Sequence, residues 1–125
     1  MHLVYAMNRN DPNGIDERSF QFFKDVLTFV ETIPVAPKTK DIIEQLVDAA
    51  GSIGANREEA RGASTRKEFI RYNEIALRSA NESVRWLRAC ATKRFGSQKH
   101  VSWVGSSSRR NNETRRTRQD LQPDA

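Results

Sequence analysis

The sequence predicts an all-α protein: an up-down antiparallel helix bundle with three clear helices and a fourth that is degenerate or missing. Two observations carry this prediction. Apolar residues recur at spacings of three and four along three long stretches, which is the period of an amphipathic α-helix. The connections between these stretches are short, and short connections place successive helices antiparallel to each other. No stretch alternates apolar and polar residues for long enough to predict a strand.

The first predicted helix runs from about Asp16 to Ile33 and has two apolar stripes. One stripe contains Phe20, Phe23, Leu27 and Val30, and the other contains Phe22, Val26, Phe29 and Ile33. Together the stripes cover about half of the helix circumference, which predicts burial against two neighbouring helices or in a subunit interface. Pro34 ends the helix, because the residue before a proline is disfavoured in the α region.

The second predicted helix begins near Thr39, a plausible N-cap, and ends at Gly62, a good residue for the position after a helix. Gly51 and Gly54 lie inside this helix, and each costs about 1 kcal/mol relative to alanine there. We expect a close approach of the second and third helices at these glycines to offset that cost, above all at Gly54.

The third predicted helix starts with a capping box formed by Thr65 and Glu68 and continues to about Thr92. Its predicted core stripe contains Phe69, Ala76, Leu77, Ala80, Val84, Leu87 and Ala91. Tyr72 and Trp86 flank the stripe and are expected in the core or an interface, with base stacking as the weaker alternative.

The distribution of charge divides the chain into three segments. Residues 1–15 form a flexible N-terminal lead, residues 16–92 the helical bundle domain, and residues 93–125 a basic tail predicted to be disordered. Residues 1–92 contain 13 Lys/Arg and 13 Asp/Glu, whereas residues 93–125 contain 8 Lys/Arg and 3 Asp/Glu. The net charge of +5 therefore comes from the tail and does not by itself predict a basic surface on the bundle.

The chain offers few residues for catalysis. His2 and His100 are the only histidines, so the predicted helices hold neither a catalytic triad nor a zinc cluster. Arg94 and His100 form an R-x5-H string similar to the ribonuclease motif of the HEPN bundles, but Gly96 lies in a stretch between them that is not predicted to be helical. We expect no enzymatic activity, no cofactor and no metal. A single cysteine, Cys90, and the lack of a membrane-spanning apolar run predict the cytoplasm and no membrane partner.

The candidate nucleic-acid-binding residues are arginines. Arg71, Arg78 and Arg85 are seven residues apart on the third helix, and Arg88 lies nearby, so the side chains form a line that could contact phosphates. The alternative is a solvated face balanced by Glu74 and other acidic residues. Five more candidates are in the tail: Arg109, Arg110, Arg115, Arg116 and Arg118. Asn56 and Glu59, at the end of the second helix, are expected to form a polar network across the turn to the third.

The segment GSIGANREEARGASTRKEF, followed by IALRSANES and WL, resembles the four-helix-bundle protein family. Members include proteins encoded in intervening sequences of bacterial 23S ribosomal RNA genes, and relatives serve as accessory proteins of diversity-generating retroelements. The resemblance covers about Glu17 to Ala91. It implies an up-down bundle that assembles as a homo-oligomeric ring, typically a pentamer, and a basic surface for nucleic acid. It supplies no catalytic residues.

The chain departs from the family pattern after the WL segment, where the family has a fourth apolar-periodic helix. One explanation for this change is a shifted reading frame in the gene. The other is truncation of the fourth helix followed by drift of the remaining sequence. Two hypotheses about function follow: a homo-oligomeric bundle that binds RNA or DNA, and an oligomeric scaffold that binds another protein.

Overall fold

The structure is a computed structural model that describes residues 14–102. Three long helices account for most of this part of the chain: α1 (Ile15–Val30), α2 (Lys40–Arg61) and α3 (Arg66–Lys93). Residues 98–102 are also helical, and residues 14–102 contain no strand. Helix α2 packs against both α1 and α3, and its contact with α3 is the more extensive. The predicted all-α fold class is confirmed.

Helix α1 is shorter than the sequence predicts, because it ends at Val30 and not at Ile33. The chain continues in a tighter turn, in which the amides of Thr32 and Ile33 donate to the carbonyls of Phe29 and Val30 at 2.9 and 3.0 Å. Ile33 nevertheless stays in the core. Thr39 is the N-cap of α2, as the sequence predicts, but its side chain makes no capping hydrogen bond. The Thr39 hydroxyl instead donates to the carbonyl of Pro34 at 2.8 Å and so closes the loop between the two helices.

The ends of α3 show one predicted and one unpredicted feature. The capping box is present, since the Thr65 hydroxyl accepts from the Glu68 amide at 3.1 Å and the Glu68 carboxylate accepts from the Ser64 amide at 3.3 Å. At the other end, Arg94 adopts a left-handed conformation with φ 57°. Gly62, the expected helix terminator, does not need its conformational freedom, because its φ is −86°.

The buried apolar residues of α1 and the turn after it come from one of the two apolar stripes: Phe22, Val26, Phe29 and Ile33. The other stripe is divided. Phe20 is 58% and Leu27 38% exposed, whereas Phe23 lies beside Gly51 of α2 and Val30 packs against the core, and both are half-buried. The rest of the described core comes from the other helices and the segment after them: Leu46, Ala50, Ile53, Leu87, Cys90 and Val101.

The buried face of α3 differs from the predicted stripe. Ala76, Ser79, Ser83, Leu87 and Cys90 are buried. Of the predicted core residues, Phe69 is 45% exposed, and four others are half-buried: Leu77, Ala80, Val84 and Ala91. Small side chains on this face suit the extensive contact with α2, and the Ser83 hydroxyl is satisfied by the Ser79 carbonyl at 2.8 Å.

The close glycine contact of α2 is with α1 and not with α3. A Cβ atom at Gly51 would lie 3.0 Å from the ring of Phe23, whereas one at Gly54 would meet only the Ser19 hydroxyl, at 3.9 Å. The expected tight packing at Gly54 is therefore absent, and Gly51 is the residue that lets an aromatic ring of α1 approach the α2 backbone.

Residues that follow α3 fold back onto the end of α1. Val101 is buried in the core and Phe95 packs against it. The Ser97 amide donates to the Thr32 hydroxyl at 2.9 Å, and Gly96 lies directly against residues of α1. The packed part of the chain thus continues to at least residue 102, ten residues beyond the predicted boundary of the bundle. The N-terminal lead up to residue 13 and the tail from residue 103 lie outside the described residues.

Within residues 14–102, no helix is long and apolar enough to cross a lipid bilayer.

Candidate nucleic-acid interface

Charge is segregated between the helices of the bundle. Helix α3 carries seven Lys/Arg against three Asp/Glu, whereas α1 carries two against three and α2 carries three against five. The net charges are therefore +4 on α3, −1 on α1 and −2 on α2. The balance predicted for residues 1–92 is correct as a sum, but it conceals one strongly basic helix among two acidic ones. A surface of one sign attracts ligands of the other.

The four candidate arginines of α3 lie on its solvent side. Arg71, Arg78, Arg85 and Arg88 are all exposed, and together we call them the α3 ridge. At 100° per residue, the ridge points away from the buried face formed by Ala76 and the other core residues. No salt bridge in residues 14–102 involves a ridge arginine. These guanidinium groups are therefore available to an anionic partner.

A shallow, open depression of 540 Å³ borders the second half of the ridge. Its described lining comes from α3 alone: Asn81, Val84, Arg85, Arg88, Ala89 and Thr92. This lining is mostly polar and carries no acidic residue. The depression adds room for a ligand beside Arg85 and Arg88, but it has no walls from a second described helix and does not form an enclosed pocket.

The aromatic residues of α3 are not part of the ridge. Tyr72 and Trp86 are half-buried, and Trp86 packs against the core while its indole N–H donates to the Glu82 carboxylate at 3.3 Å. Trp86 is thus at the edge of the core, as expected, whereas the expectation of a core or interface position for Tyr72 stays a prediction. Neither ring presents an open face beside the arginines.

The polar network at the turn end of the bundle uses residues that sequence reasoning missed. The Asp16 carboxylate of α1 pairs with Arg57 and Arg61 of α2, and Arg57 also donates to the side chain of Asn73 on α3. Asp16 and both arginines are less than one-fifth exposed. A signal was available, because an acid in the first turn of α1 and two basic residues at the end of α2 meet when these helices are antiparallel.

The residues predicted for that network are placed differently. Asn56 donates to the carbonyl of Ser52, one turn earlier in α2, at 2.8 Å. Glu59 is exposed and forms no hydrogen bond or salt bridge within the described part of the chain. Arg57 and Asn73 join α2 to α3 by a hydrogen bond, and Asn56 and Glu59 take no part in it.

Arg94 and His100, the R-x5-H pair, do not form the helical arrangement that the ribonuclease motif requires. Arg94 ends α3, and His100 lies in the separate helical segment 98–102, where its Nδ1 is 2.9 Å from the Ser97 hydroxyl. The two residues therefore do not share one helix. Residues 14–102 contain no cluster of three potential metal ligands. Cys90 is fully buried, and burial raises the pKa of its thiol, which keeps the reactive thiolate scarce. Arg109, Arg110, Arg115, Arg116 and Arg118 lie outside the described residues.

Comparison with known protein families identifies the family to which the chain belongs. The family model of the 23S rRNA-intervening sequence protein matches residues 13–113. The chain belongs to this family. A similar solved structure is that of a protein of unknown function from the S23 ribosomal protein family of Bacteroides thetaiotaomicron. It is 25% identical, has a TM-score of 0.71, and the alignment covers 79% of this chain and 92% of that one. None of the curated proteins matches the sequence.

The extent of the family match corrects one prediction. The resemblance was expected to end near Ala91, but the 23S rRNA-intervening sequence protein family covers the chain to residue 113. Residues 94–102 also pack onto α1, with Val101 in the core. The family match continues for about 20 residues beyond residue 92, which is evidence against a reading-frame shift at that point.

Proposed function

We propose that this chain is a non-enzymatic, homo-oligomeric bundle protein of the cytoplasm that associates with RNA or DNA through the α3 ridge. The observation that carries the proposal is the set of four exposed arginines on the strongly basic helix α3, none of which forms a salt bridge with another residue of the described range 14–102. Arginine contacts phosphate through two parallel hydrogen bonds, so a row of free guanidinium groups is suited to a nucleic-acid backbone. The family name, 23S rRNA-intervening sequence protein, supports RNA as the first ligand to test.

The exposed stripe of α1 supports the oligomeric part of the proposal. Phe20 and Leu27 present apolar surface to solvent, and Phe23 between them is only half-buried. Contiguous apolar surface on a soluble monomer marks an interaction site. A second copy of the chain that covers this stripe is consistent with the ring, typically a pentamer, that the family resemblance implies.

An oligomeric scaffold for another protein is the alternative. The same α1 stripe favours it, because an apolar helix face can receive a foreign helix as well as a second copy. The two functions differ in the part that the ridge plays. A scaffold that uses only the α1 stripe would retain its function when the ridge arginines are neutralised.

Light scattering at micromolar concentration should show a mass that is a multiple of the 14.3 kDa chain. Leu27→Glu should reduce the mass toward 14.3 kDa, because a carboxylate would be desolvated in the interface. Thr28→Glu is the matched control, since Thr28 is exposed but lies outside the stripe, and it should leave the mass unchanged. A parent protein that already scatters as a single chain would contradict the oligomer.

Neutralising the ridge should remove binding to nucleic acid. We expect Arg71→Gln, Arg78→Gln and Arg85→Gln together to weaken RNA binding at least about tenfold at low salt, because three phosphate contacts are lost. Fluorescence anisotropy with a labelled RNA measures the change. Circular dichroism should show unchanged helix content, since these side chains are exposed.

Two further variants locate the binding surface. Lys24→Gln, Lys38→Gln and Lys40→Gln together remove the same charge from exposed positions elsewhere and should leave affinity nearly unchanged. Glutamine at Arg109, Arg110, Arg115, Arg116 and Arg118 tests the tail. If only this tail variant loses affinity, the tail is the binding site and the ridge is a solvated face. If the parent binds neither RNA nor DNA, the scaffold is the better description.

A further inference from the structure

We infer that the ligand of the α3 ridge is a nucleic-acid duplex, bound through the phosphates of its backbone and not through its bases. This inference rests on the proposed function and names the class of nucleic acid that the ridge would take. Three features of α3 carry it: the spacing of the arginines, the absence of aromatic rings beside them, and the open, convex surface on which they lie.

The arginines form a row whose spacing is set by the helix backbone. Arg71, Arg78 and Arg85 follow one another at seven residues, or about 10.5 Å along a helix that rises 1.5 Å per residue. Helix α3 contains neither glycine nor proline between Arg66 and Lys93, so this spacing is fixed. A duplex presents phosphates at fixed positions along its axis, and the helix holds the backbone positions of the three arginines at a fixed spacing, so little backbone freedom is lost when the side chains bind them.

Single-strand binding surfaces combine positive charge with aromatic rings on which bases stack. The ridge lacks such rings. At 100° per residue, Phe69 lies about half a turn and Tyr72 about a third of a turn from the arginine row. Trp86 lies about a quarter turn from the row and packs against the core. The bases of a single strand would therefore find no aromatic ring of α3 to stack on beside the arginines, whereas the bases of a duplex stack on one another.

The open surface also favours a duplex. The described lining of the depression beside Arg85 and Arg88 belongs to α3 alone, so within residues 14–102 no second helix forms a wall that would enclose a flexible strand. A duplex carries one negative charge per about 1.7 Å of its axis, about twice the density of one strand. For a surface that acts only through charge, the denser polyanion is the tighter ligand.

The test compares four labelled oligonucleotides in fluorescence anisotropy: an RNA duplex, a DNA duplex of the same sequence, and the purine-rich single strand of each. A length of about 20 base pairs, or about 70 Å at 3.4 Å per pair, exceeds the ridge. We expect both duplexes to bind at least about tenfold more tightly than their single strands. A difference between the RNA and DNA duplexes would identify the groove geometry that the ridge prefers.

Salt dependence tests whether the ridge itself makes the contacts. Four phosphate contacts predict that duplex affinity falls about 150-fold between about 50 and 200 mM salt, since the logarithmic slope is about −0.9 per contact. The triple glutamine variant of Arg71, Arg78 and Arg85 retains one contact, and its affinity should fall only about threefold to fourfold. The triple lysine variant keeps the charges and should retain the salt slope of the parent, although its affinity should be lower because lysine cannot form the two parallel hydrogen bonds of arginine.

The outcomes separate the two claims. Single strands that bind as tightly as the duplexes, with a salt slope that still depends on the ridge, would overturn the duplex inference and leave the proposed function intact. Binding that does not respond to the triple glutamine variant would overturn the proposed function. If none of the four oligonucleotides binds, both fail.

Discussion

Replacing Phe29 by alanine should lower the free energy of unfolding by about 3–5 kcal/mol, because the substitution leaves a cavity in the middle of the core. Phe29 is fully buried and is the largest side chain in that condition. A loss of this size is a large part of the total stability of a small domain, which is about 5–15 kcal/mol. Urea denaturation followed by circular dichroism measures the change, and the variant should unfold at much lower urea concentrations than the parent.

Phe20→Ala is the matched control, since it makes the same chemical change on the same helix. Phe20 is 58% exposed and, apart from the ammonium group of Lys24 5.1 Å from its ring, has little packing to lose within one chain. Its effect should depend on protein concentration, because the α1 stripe is proposed to be covered by a second copy. The Phe29→Ala effect on the fold of each chain should appear at every concentration. Equal losses for both variants in a monomer would contradict the burial described for α1.

The second large effect is expected at Gly96. Its φ is +73°, and a Cβ atom there would lie 2.8 Å from Ile33 Cγ1 and from Thr32 Oγ1, and 2.9 Å from Phe29 Cε1. Gly96→Ala therefore combines a strained backbone with overpacking against α1, at a cost of about 2–4 kcal/mol. Thermal unfolding measures the loss. Hydrogen exchange at the Ser97 amide should become faster, because that amide is bonded to Thr32 across the same contact.

Arg94→Gly is the control for Gly96→Ala. Arg94 also has a positive φ, 57°, but it is exposed. Glycine relieves the left-handed strain there and adds entropy to the unfolded chain, so stability should stay unchanged or rise by up to about 1 kcal/mol. If Gly96→Ala were as harmless as Arg94→Gly, residues 94–102 would not dock onto α1 in solution.

Periodicity was sufficient to predict the three helices, but it could not decide which face of each is buried. Both stripes of α1 have the same spacing and the same apolar character, and only the packing of the folded chain shows that Phe22, Val26 and Phe29 are buried while Phe20 and Leu27 are exposed. On α3 the apolar pattern predicted the wrong buried face, because Ser79 and Ser83 are polar yet buried. Their small size suits a close helix contact, and Ser83 bonds to the backbone of its own helix, so the burial costs little.

The sequence was sufficient to predict which arginines of α3 form the candidate interface, but not the charge of the neighbouring helices or the packing of the residues after α3. Spacing alone placed Arg71, Arg78 and Arg85 in one row, and the structure shows that row to be exposed. The sum of charge over residues 1–92 hid the contrast between helices, which a count for each helix reveals. The packing of Phe95 and Val101 had no periodic signal, because a turn through Gly96 and not a regular helix brings them to the core.

The segregation of charge gives the described part of the chain a permanent dipole moment, with its positive end on α3 and its negative side on α1 and α2. In the field of a polyanion such a molecule rotates before contact, so that α3 leads and the acidic helices trail. Productive collisions then occur more often than random orientation allows, and this advantage decreases as salt shortens the Debye length below the size of the bundle. The uneven distribution of charge therefore affects the rate of encounter as well as the strength of the complex.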